Sequence, residues 1–207
     1  MEKQILSIDF DIIMHPCIQL YNDEVDGDDD PKTLWGYLEK KYQYTDNNVL
    51  NYDSNLLIEL VKLIAFHKKN TEICFITDHH EIIDILKQSS TYKDDTFNID
   101  NIDFHHDLWY RETDFKDILK KDEYNCATWL GYLFLKKKLT SLTWFNTENS
   151  VLLEIKPYGS KIKLNIINAR NLSSLYNKKF DVIFVCLSPQ WIPPQYRFLY
   201  DMIQILV

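Results

Sequence analysis

Glycine is scarce in this chain, with 4 residues among 207, and neither G-x-G-x-x-G nor G-x-x-x-x-G-K occurs. Nucleotide loops of those kinds need glycine so that the backbone can approach a phosphate closely, and the sequence therefore predicts no glycine-cradled phosphate site. The 4 cysteines never stand in C-x-x-C spacing, which argues against a zinc ribbon or a redox motif.

Long apolar runs and excess positive charge are missing as well. No run of 18 apolar residues is present, and two aspartates interrupt the apolar stretch at the amino terminus, so we expect neither a transmembrane helix nor a signal peptide. The simplest compartment is then a reducing cytoplasm. The formal net charge of −8 argues against a nucleic-acid partner, because such binding draws on clustered Lys and Arg. An acidic balance suits solubility alone or a cationic substrate.

The remaining composition is that of a globular protein, and the length suits one domain over residues 1–207. Short apolar runs predict six buried strands at Gln4–Asp9, Glu72–Thr77, Phe97–Phe104, Leu142–Phe145, Lys163–Ile167 and Asp181–Leu187. Because their apolar character is continuous rather than alternating, we expect these strands to be covered on both faces.

Helical patterns lie between several of these runs, which predicts an α/β fold with a mostly parallel sheet. The predicted helices are Ser54–Lys69 with a serine N-cap, Glu81–Gln88, Glu123–Lys138 and Gln195–Leu206. Asp23–Lys32 is predicted to be an acidic loop, and Asn146–Lys161 an irregular stretch that suits a β-hairpin.

Acidic and imidazole side chains follow three of the predicted strands, in the segments Ser7–Asp11, Thr77–His80 and Asp103–Asp107. In a doubly wound sheet, ligands bind outside the carboxyl ends of the strands, so the three segments should meet at one edge. In extended chains, D-x-D and D-x-H-x-D place alternate side chains on one side. Each segment taken alone also suits a cap or a turn, but their occurrence together favours a metal site.

The predicted ligands are four carboxylates and two imidazoles, namely Asp9, Asp11, His79, Asp103, His105 and Asp107. Hard oxygen ligands with some imidazole suit manganese, and the absence of cysteine from the set disfavours structural zinc. Six ligands exceed what one catalytic ion with an open position needs, so they indicate a two-metal site. His80 fits the spacing as well as His79 does.

The Asp103–Asp107 segment resembles the D-A-H-x-D signature of the arginase superfamily of ureohydrolases. Asp9 and Asp11, with Pro16 shortly after them, resemble its S-x-D-x-D-x-x-D-P signature, although His15-Pro16 replaces the D-P ending. Asp78-His79 resembles its G-D-H segment, which favours His79 over His80. The D-x-D segment normally follows the D-x-H-x-D triple, whereas here it opens the chain. The resemblance therefore implies a three-layer arginase-like α/β fold that is circularly permuted and shortened.

This compact, reordered pattern, together with the S-P-x-W-x-P-P stretch at Ser188–Pro194, resembles the atypical peptide arginases. These enzymes convert arginine side chains of ribosomally made peptides to ornithine and release urea. The resemblance implies two Mn²⁺ ions per subunit, a metal-bridging hydroxide as nucleophile and an arginine-containing precursor peptide as partner. The net charge and the lack of long apolar runs predict neither a nucleic acid nor a membrane as partner. By the same resemblance Asp103 and Asp9 bridge the ions, His79 and Asp107 complete one, and His105 and Asp11 complete the other.

Three other functions remain open: a ureohydrolase acting on free arginine or agmatine, a non-catalytic arginase-like binding module, and a one-zinc amide hydrolase of the deacetylase type. A carboxylate should grip the planar guanidinium cation, and the candidates are Asp23 to Asp30, Asp53 and Glu112. Candidate proton shuttles are His106 and His15. Trp191 is expected to wall the pocket, contact a peptide, or plug the space beside Pro193-Pro194.

Overall fold

The computed structural model describes residues 1–15, 30–42, 51–108, 116, 118, 120–148, 150 and 163–207. The strands in these residues, numbered along the chain, are β1 (Glu2–Asp9), β2 (Met14–His15), β3 (Asn51–Tyr52), β4 (Glu72–Ile76), β5 (Thr96–Ile102), β6 (Leu139–Asn146), β7 (Lys163–Asn168) and β8 (Val182–Cys186). The α-helices are α1 (Pro31–Tyr42), α2 (Ser54–His67), α3 (Glu81–Gln88), α4 (Trp129–Leu135) and α5 (Arg197–Leu206). Short 3₁₀ turns span Phe10–Ile13, Ser173–Asn177 and Pro194–Tyr196.

Six strands form one sheet in the order β4-β8-β1-β5-β6-β7, and every pair in it is parallel. All six predicted strands are present, so the prediction of an α/β fold with a parallel sheet is confirmed. β2 and β3 form a separate antiparallel pair. Because the six strands run in the same direction, their carboxyl ends lie along one edge of the sheet.

Strand β8 and most of β1 are buried on both faces, as the continuous apolar runs predict, whereas the edge strands β4 and β7 are only partly covered. On β1, Leu6 and Ile8 join one apolar cluster while Ile5 joins the other, because successive strand residues point to opposite faces. Residues of α2 and α5 pack in the first cluster, and residues of α3 and α4 pack in the second. Helices thus cover both sides of the sheet, in a three-layer α/β arrangement.

The predicted helix ends are wrong at α2 and α4. The N-cap of α2 is Asp53 and not Ser54, because the Asp53 carboxylate accepts a hydrogen bond from the backbone N–H of Leu56 at 2.9 Å. The helix predicted over Glu123–Lys138 forms only as α4, which begins at Trp129 and ends at Leu135.

Helix α1 is an element that the sequence patterns missed, since Pro31 and Lys32 were expected in a loop. The Asp30 carboxylate accepts hydrogen bonds from the Thr33 backbone N–H at 2.9 Å and from its hydroxyl at 2.6 Å, which caps the helix. Pro31 fits the first turn because that turn does not need its N–H. Residues 23–29 of the expected loop, and 149 and 151–161 of the expected hairpin, lie outside the described residues.

No helix within the described ranges is long and apolar enough to cross a bilayer.

Candidate metal centre

The six predicted ligands come together at the carboxyl ends of β1, β4 and β5, three strands of the parallel sheet. Asp9 ends β1 and Asp11 lies in the 3₁₀ turn that follows it, His79 follows β4, and the triple Asp103, His105 and Asp107 follows β5. The side chains of five of them are at most 5 % exposed, whereas that of His105 is 22 % exposed.

The expected reason for this convergence is only partly right. An extended chain was expected to place alternate side chains on one side, but Asp11 lies in the 3₁₀ turn Phe10–Ile13. Asp107 has a backbone φ of 50°, in the left-handed region. Both segments therefore bend out of the sheet and bring their carboxylates inward by turning the chain, at a cost in backbone strain for Asp107.

Two groups of potential ligand atoms share one carboxylate. Asp11, Asp103 and His105 form one group, and His79, Asp103 and Asp107 form the other, with the atoms of each group within 4.8 Å of one another. Each group contains two carboxylates and one imidazole, so each has the donors to hold a metal ion.

Oxygens of three carboxylates surround the Nδ1 atom of the His79 ring. Its Nδ1 atom lies 2.9 Å from an oxygen of Asp107, 3.2 Å from one of Asp9 and 3.4 Å from one of Asp103. A single ring nitrogen can donate to only one of the three oxygens, so the carboxylates converge on a point that suits a cation. His80 belongs to neither group and stands at the half-buried start of α3, which favours His79.

His105 completes the group that it forms with Asp11 and Asp103. Its Nδ1 atom lies 3.0 Å from an oxygen of Asp11, and its backbone N–H donates to Asp103 at 2.7 Å. The backbone N–H of Phe104 also points to Asp11, with the donor 3.4 Å from the oxygen. The turn after β5 is thus held to the turn after β1 through the Asp11 carboxylate.

The crowding of buried carboxylates disfavours their charged forms. Burial, with repulsion from Asp11, raises the pKa of Asp9 to about 7. Burial, with repulsion from Asp107 and Asp9, raises the pKa of Asp103 well above its usual range. Buried acids with raised pKa values lack opposite charge, and divalent cations would supply it. The donor set therefore fits metal ions.

The imidazoles compensate part of this charge. Burial alone would lower the pKa of His79, but Asp9 and the hydrogen-bonded Asp107 reverse the effect and raise it. The pKa of His105 is raised against burial by its hydrogen bond with Asp11. Although burial opposes it, the contact with His79 lowers the pKa of Asp107. In this arrangement the imidazoles take the place that cations would occupy.

Two serines support ligands on the β1 side of the centre. The Ser7 hydroxyl lies 3.0 Å from His79 Nε2, so an Nε2–H that donates to Ser7 leaves Nδ1 free as a ligand atom. The Ser188 hydroxyl donates to Asp9 at 2.5 Å, and Ser188 has a φ of 48°. Ser7 stands two residues before Asp9 in a strand, so the sequence carried a signal for it. Ser188 lies in the turn that follows β8, and no local spacing pointed to its role.

Two further donors orient the carboxylates that follow β5. The Asn101 amide donates to Asp103 at 3.0 Å, and the Trp129 indole N–H donates to Asp107 at 2.8 Å. Asn101, a polar residue in a buried strand, was a visible signal. Trp129 was not, because it reaches the site only through the packing of α4 on the sheet.

Cys186 lies beside the centre and forms a third group with Asp9 and His79. Burial raises the pKa of its thiol, and its Sγ atom lies 3.3 Å from the Thr77 carbonyl oxygen, where the thiol is a donor. Since the thiolate is the form that binds metals, the protonated thiol favours the oxygen and nitrogen ligand set.

The two described candidates for binding a guanidinium, Asp30 and Asp53, are engaged in other contacts. Asp53 caps α2 and Asp30 caps α1. Asp23 to Asp29 and Glu112 lie outside the described residues.

Of the two proton-shuttle candidates, only His106 has a described side chain. His106 is buried, its Nδ1 atom accepts from the backbone N–H of Leu108 at 3.2 Å, and burial lowers its pKa to about 4. These features disfavour a shuttle near neutral pH. The side chain of His15 lies outside the described residues.

The centre thus combines four carboxylates and two imidazoles at one edge of a parallel sheet, with His105 as its most exposed member. Trp191 stands beside that member, its ring centroid 4.7 Å from the His105 ring. No family model, no curated protein and no solved structure matches this chain.

Proposed function

We propose that the chain is a two-manganese hydrolase that converts arginine side chains within a ribosomally made peptide to ornithine and releases urea. The observation that carries the proposal is the pair of ligand groups that share Asp103. A shared carboxylate is the arrangement by which two ions are held close enough to act on one substrate.

The ligand set suits manganese more than zinc, because oxygen donors dominate it and the nearby thiol is protonated. His105 and Asp11 would hold one ion, His79 and Asp107 the other, with Asp103 and Asp9 between them. Ser7 and Ser188 would keep His79 and Asp9 oriented toward the ions.

In the proposed reaction, water adds to the guanidinium carbon. The bond from that carbon to the side-chain nitrogen then breaks, and this nitrogen takes up a proton and leaves as the ornithine amine, while urea is released. Bound divalent ions would activate the water by lowering its pKa. The chain's own contribution is a dry, oriented cluster, since five of its six ligand side chains are at most 5 % exposed.

The order of the strands supports a permuted, shortened arginase-like sheet. β1, which opens the chain and carries Asp9, lies directly beside β5, which carries Asp103. A D-x-D segment at the start of the chain therefore reaches the D-x-H-x-D triple through strand pairing, whatever its position in the sequence.

The test combines metal analysis with peptide mass spectrometry. The purified chain is loaded with Mn²⁺, freed of excess metal and analysed for its metal content, for which we expect about two Mn²⁺ per chain. An arginine-containing peptide with blocked termini should then lose one cyanamide unit of mass per converted residue and yield an equal amount of urea. With the Asp103→Asn variant, the peptide should keep its mass and no urea should be released.

Three other outcomes would replace the proposal. Efficient release of urea from free arginine or agmatine, with the blocked peptide unchanged, would identify a small-molecule ureohydrolase. A single tightly held zinc with manganese-independent deacetylation of an acetyl-lysine peptide would identify an amide hydrolase. Metal binding without turnover of any of these compounds would favour a non-catalytic binding module.

A further inference from the structure

The metal centre is accessible chiefly at His105. Its side chain is 22 % exposed, compared with at most 5 % for the other five ligands. Trp191 is half-buried at this position, with its ring centroid 4.7 Å from that of His105 and the ring planes inclined by 43°. A substrate group that approaches the centre past His105 therefore meets the indole of Trp191.

Hydrogen bonds of Ser188 connect the backbone of Trp191 to the segments that carry the metal ligands. Its backbone N–H donates to the Ser188 carbonyl at 2.9 Å, and the Ser188 hydroxyl donates to Asp9. The Ser188 backbone N–H in turn donates to the Thr77 carbonyl at 2.9 Å, two residues before His79. This turn thus connects Trp191 to Asp9 and to the segment that carries His79.

The same turn is anchored from the outer side by two helices. The Pro189 carbonyl accepts from the Trp35 indole N–H of α1 at 2.9 Å and from the Arg197 guanidinium of α5 at 2.8 Å. The Gln190 amide donates to Asp78 at 3.1 Å. Trp191 is therefore a preformed wall, and a ligand that stacks on it needs little ordering of the loop.

The charge of the filled site explains why an aromatic wall would be useful. Four ligand carboxylates balance the four positive charges of two Mn²⁺ ions, so the loaded centre has little net attraction for a cation. The face of an indole attracts cations through its quadrupole without adding a charge, and a planar guanidinium also stacks on it.

We propose that Trp191 is the residue that selects guanidinium substrates, by stacking its indole face on the planar cation beside His105. This inference deepens the proposed function and relies on it for the substrate class. It predicts selection for charge and planarity together, which a purely steric plug at this position would not produce.

The probes are three capped amino acids: N-acetyl-arginine methylamide, its neutral planar analogue with citrulline, and its non-planar cationic analogue with lysine. Their dissociation constants from the Mn²⁺-loaded protein are measured by the broadening that Mn²⁺ causes in their proton NMR signals, with the arginine spectra recorded before measurable turnover. The wild-type protein should bind the arginine probe most tightly.

Trp191→Leu should weaken binding of the arginine probe about 5- to 30-fold, the range of a partly desolvated cation–π contact, and should change citrulline binding less than twofold. Trp191→Phe should retain most of the selectivity. Phe198→Leu, which alters an exposed aromatic residue on α5, is the matched control and should change none of the constants. Mn²⁺ titration of each variant verifies that the centre is intact.

The outcomes separate this inference from the proposed function. Selective binding of the arginine probe that depends on Trp191, without release of urea, would leave the inference standing and overturn the hydrolase. Release of urea with equal arginine binding by wild type and Trp191→Leu would overturn the inference and leave the hydrolase standing. Absence of both binding and turnover in the Mn²⁺-loaded wild-type protein would overturn both.

Discussion

At the scale of single residues, Asp103 should have opposite effects on the metal-loaded and the metal-free protein. It is fully buried, belongs to both ligand groups, and receives its orientation from Asn101. Its oxygens face three other carboxylates, and burial together with this repulsion raises its pKa. The residue that would stabilise a metal-loaded centre most is therefore one that destabilises the metal-free protein.

Asp103→Asn should remove binding of both metal ions and abolish activity, because the amide keeps the shape but loses the shared negative charge. The metal-free variant should be at least as stable as the metal-free wild type, since one of four crowded carboxylates is gone. Metal analysis and urea denaturation in a chelator measure the two effects. Asp201→Asn, at an exposed position on α5, is the control. A variant that retains two ions would refute the ligand assignment.

Ser7→Ala tests the support of a ligand rather than the ligand itself. The change removes the hydroxyl that lies 3.0 Å from His79 Nε2, so the ring loses its preferred tautomer and orientation. We expect the affinity for Mn²⁺ to fall about 10- to 100-fold, the range for such outer partners of metal ligands, and activity to recover at high Mn²⁺. Ser174→Ala, in the exposed part of a 3₁₀ turn, should have no effect on the affinity.

At the scale of elements, the turns that follow the strands decide the site more than the strands do. The 3₁₀ turn Phe10–Ile13 places Asp11, and the turn after β8 places Ser188 and Trp191. Helix caps hold the elements around them, with Asp30 on α1 and Asp53 on α2. Both kinds of aspartate accept backbone N–H groups, but each ligand aspartate also lies within 3.4 Å of an imidazole nitrogen.

The cap of α2 gives a paired prediction. Asp53→Ala should lower the free energy of unfolding by about 1 kcal/mol, because it removes the acceptor for the Leu56 N–H. Ser54→Ala should change it by no more than a few tenths, since Ser54 is the first residue inside the helix and not its cap. Urea denaturation of the metal-free proteins measures both. A larger loss for Ser54→Ala would restore the serine cap that the sequence pattern suggested.

At the scale of the whole molecule, the buried carboxyl group of Asp9 makes the free energy of unfolding depend on pH. The pKa of Asp9 is about 7 in the folded chain against 3.8 as its ordinary value, so the folded state holds a proton that the unfolded state releases between those limits. The contribution of Asp9 to stability is therefore fully present below about pH 4 and is lost as pH rises toward 7.

The metal-free protein should accordingly lose stability from this carboxyl group between about pH 4 and pH 7, while its affinity for Mn²⁺ rises over the same window because binding expels the proton. Denaturation in a chelator and Mn²⁺ titration at a series of pH values measure these trends. Asp9→Asn should flatten the part of the stability profile due to this group. Metal affinity independent of pH across the window would contradict the protonated state of Asp9.

Much of this molecule followed from its sequence. The six sheet strands were predicted because each is an apolar run short enough for a strand and bounded by polar residues, which is a local property. The six candidate ligands were predicted because charged side chains directly follow three of those strands, and parallel strands end at a common edge. Neither inference needed to know which strands are neighbours.

Only the tertiary structure decided the strand order, and with it the surroundings of the ligands. The pairing of β8 with both β4 and β1 brings Ser188 to Asp9 across 179 residues of sequence and places Trp191 against His105. The packing of α4 on the sheet brings the Trp129 indole to Asp107. These contacts depend on long-range pairing and shape, which apolar periodicity does not encode, because a strand pattern specifies which face is buried but not the partner that buries it.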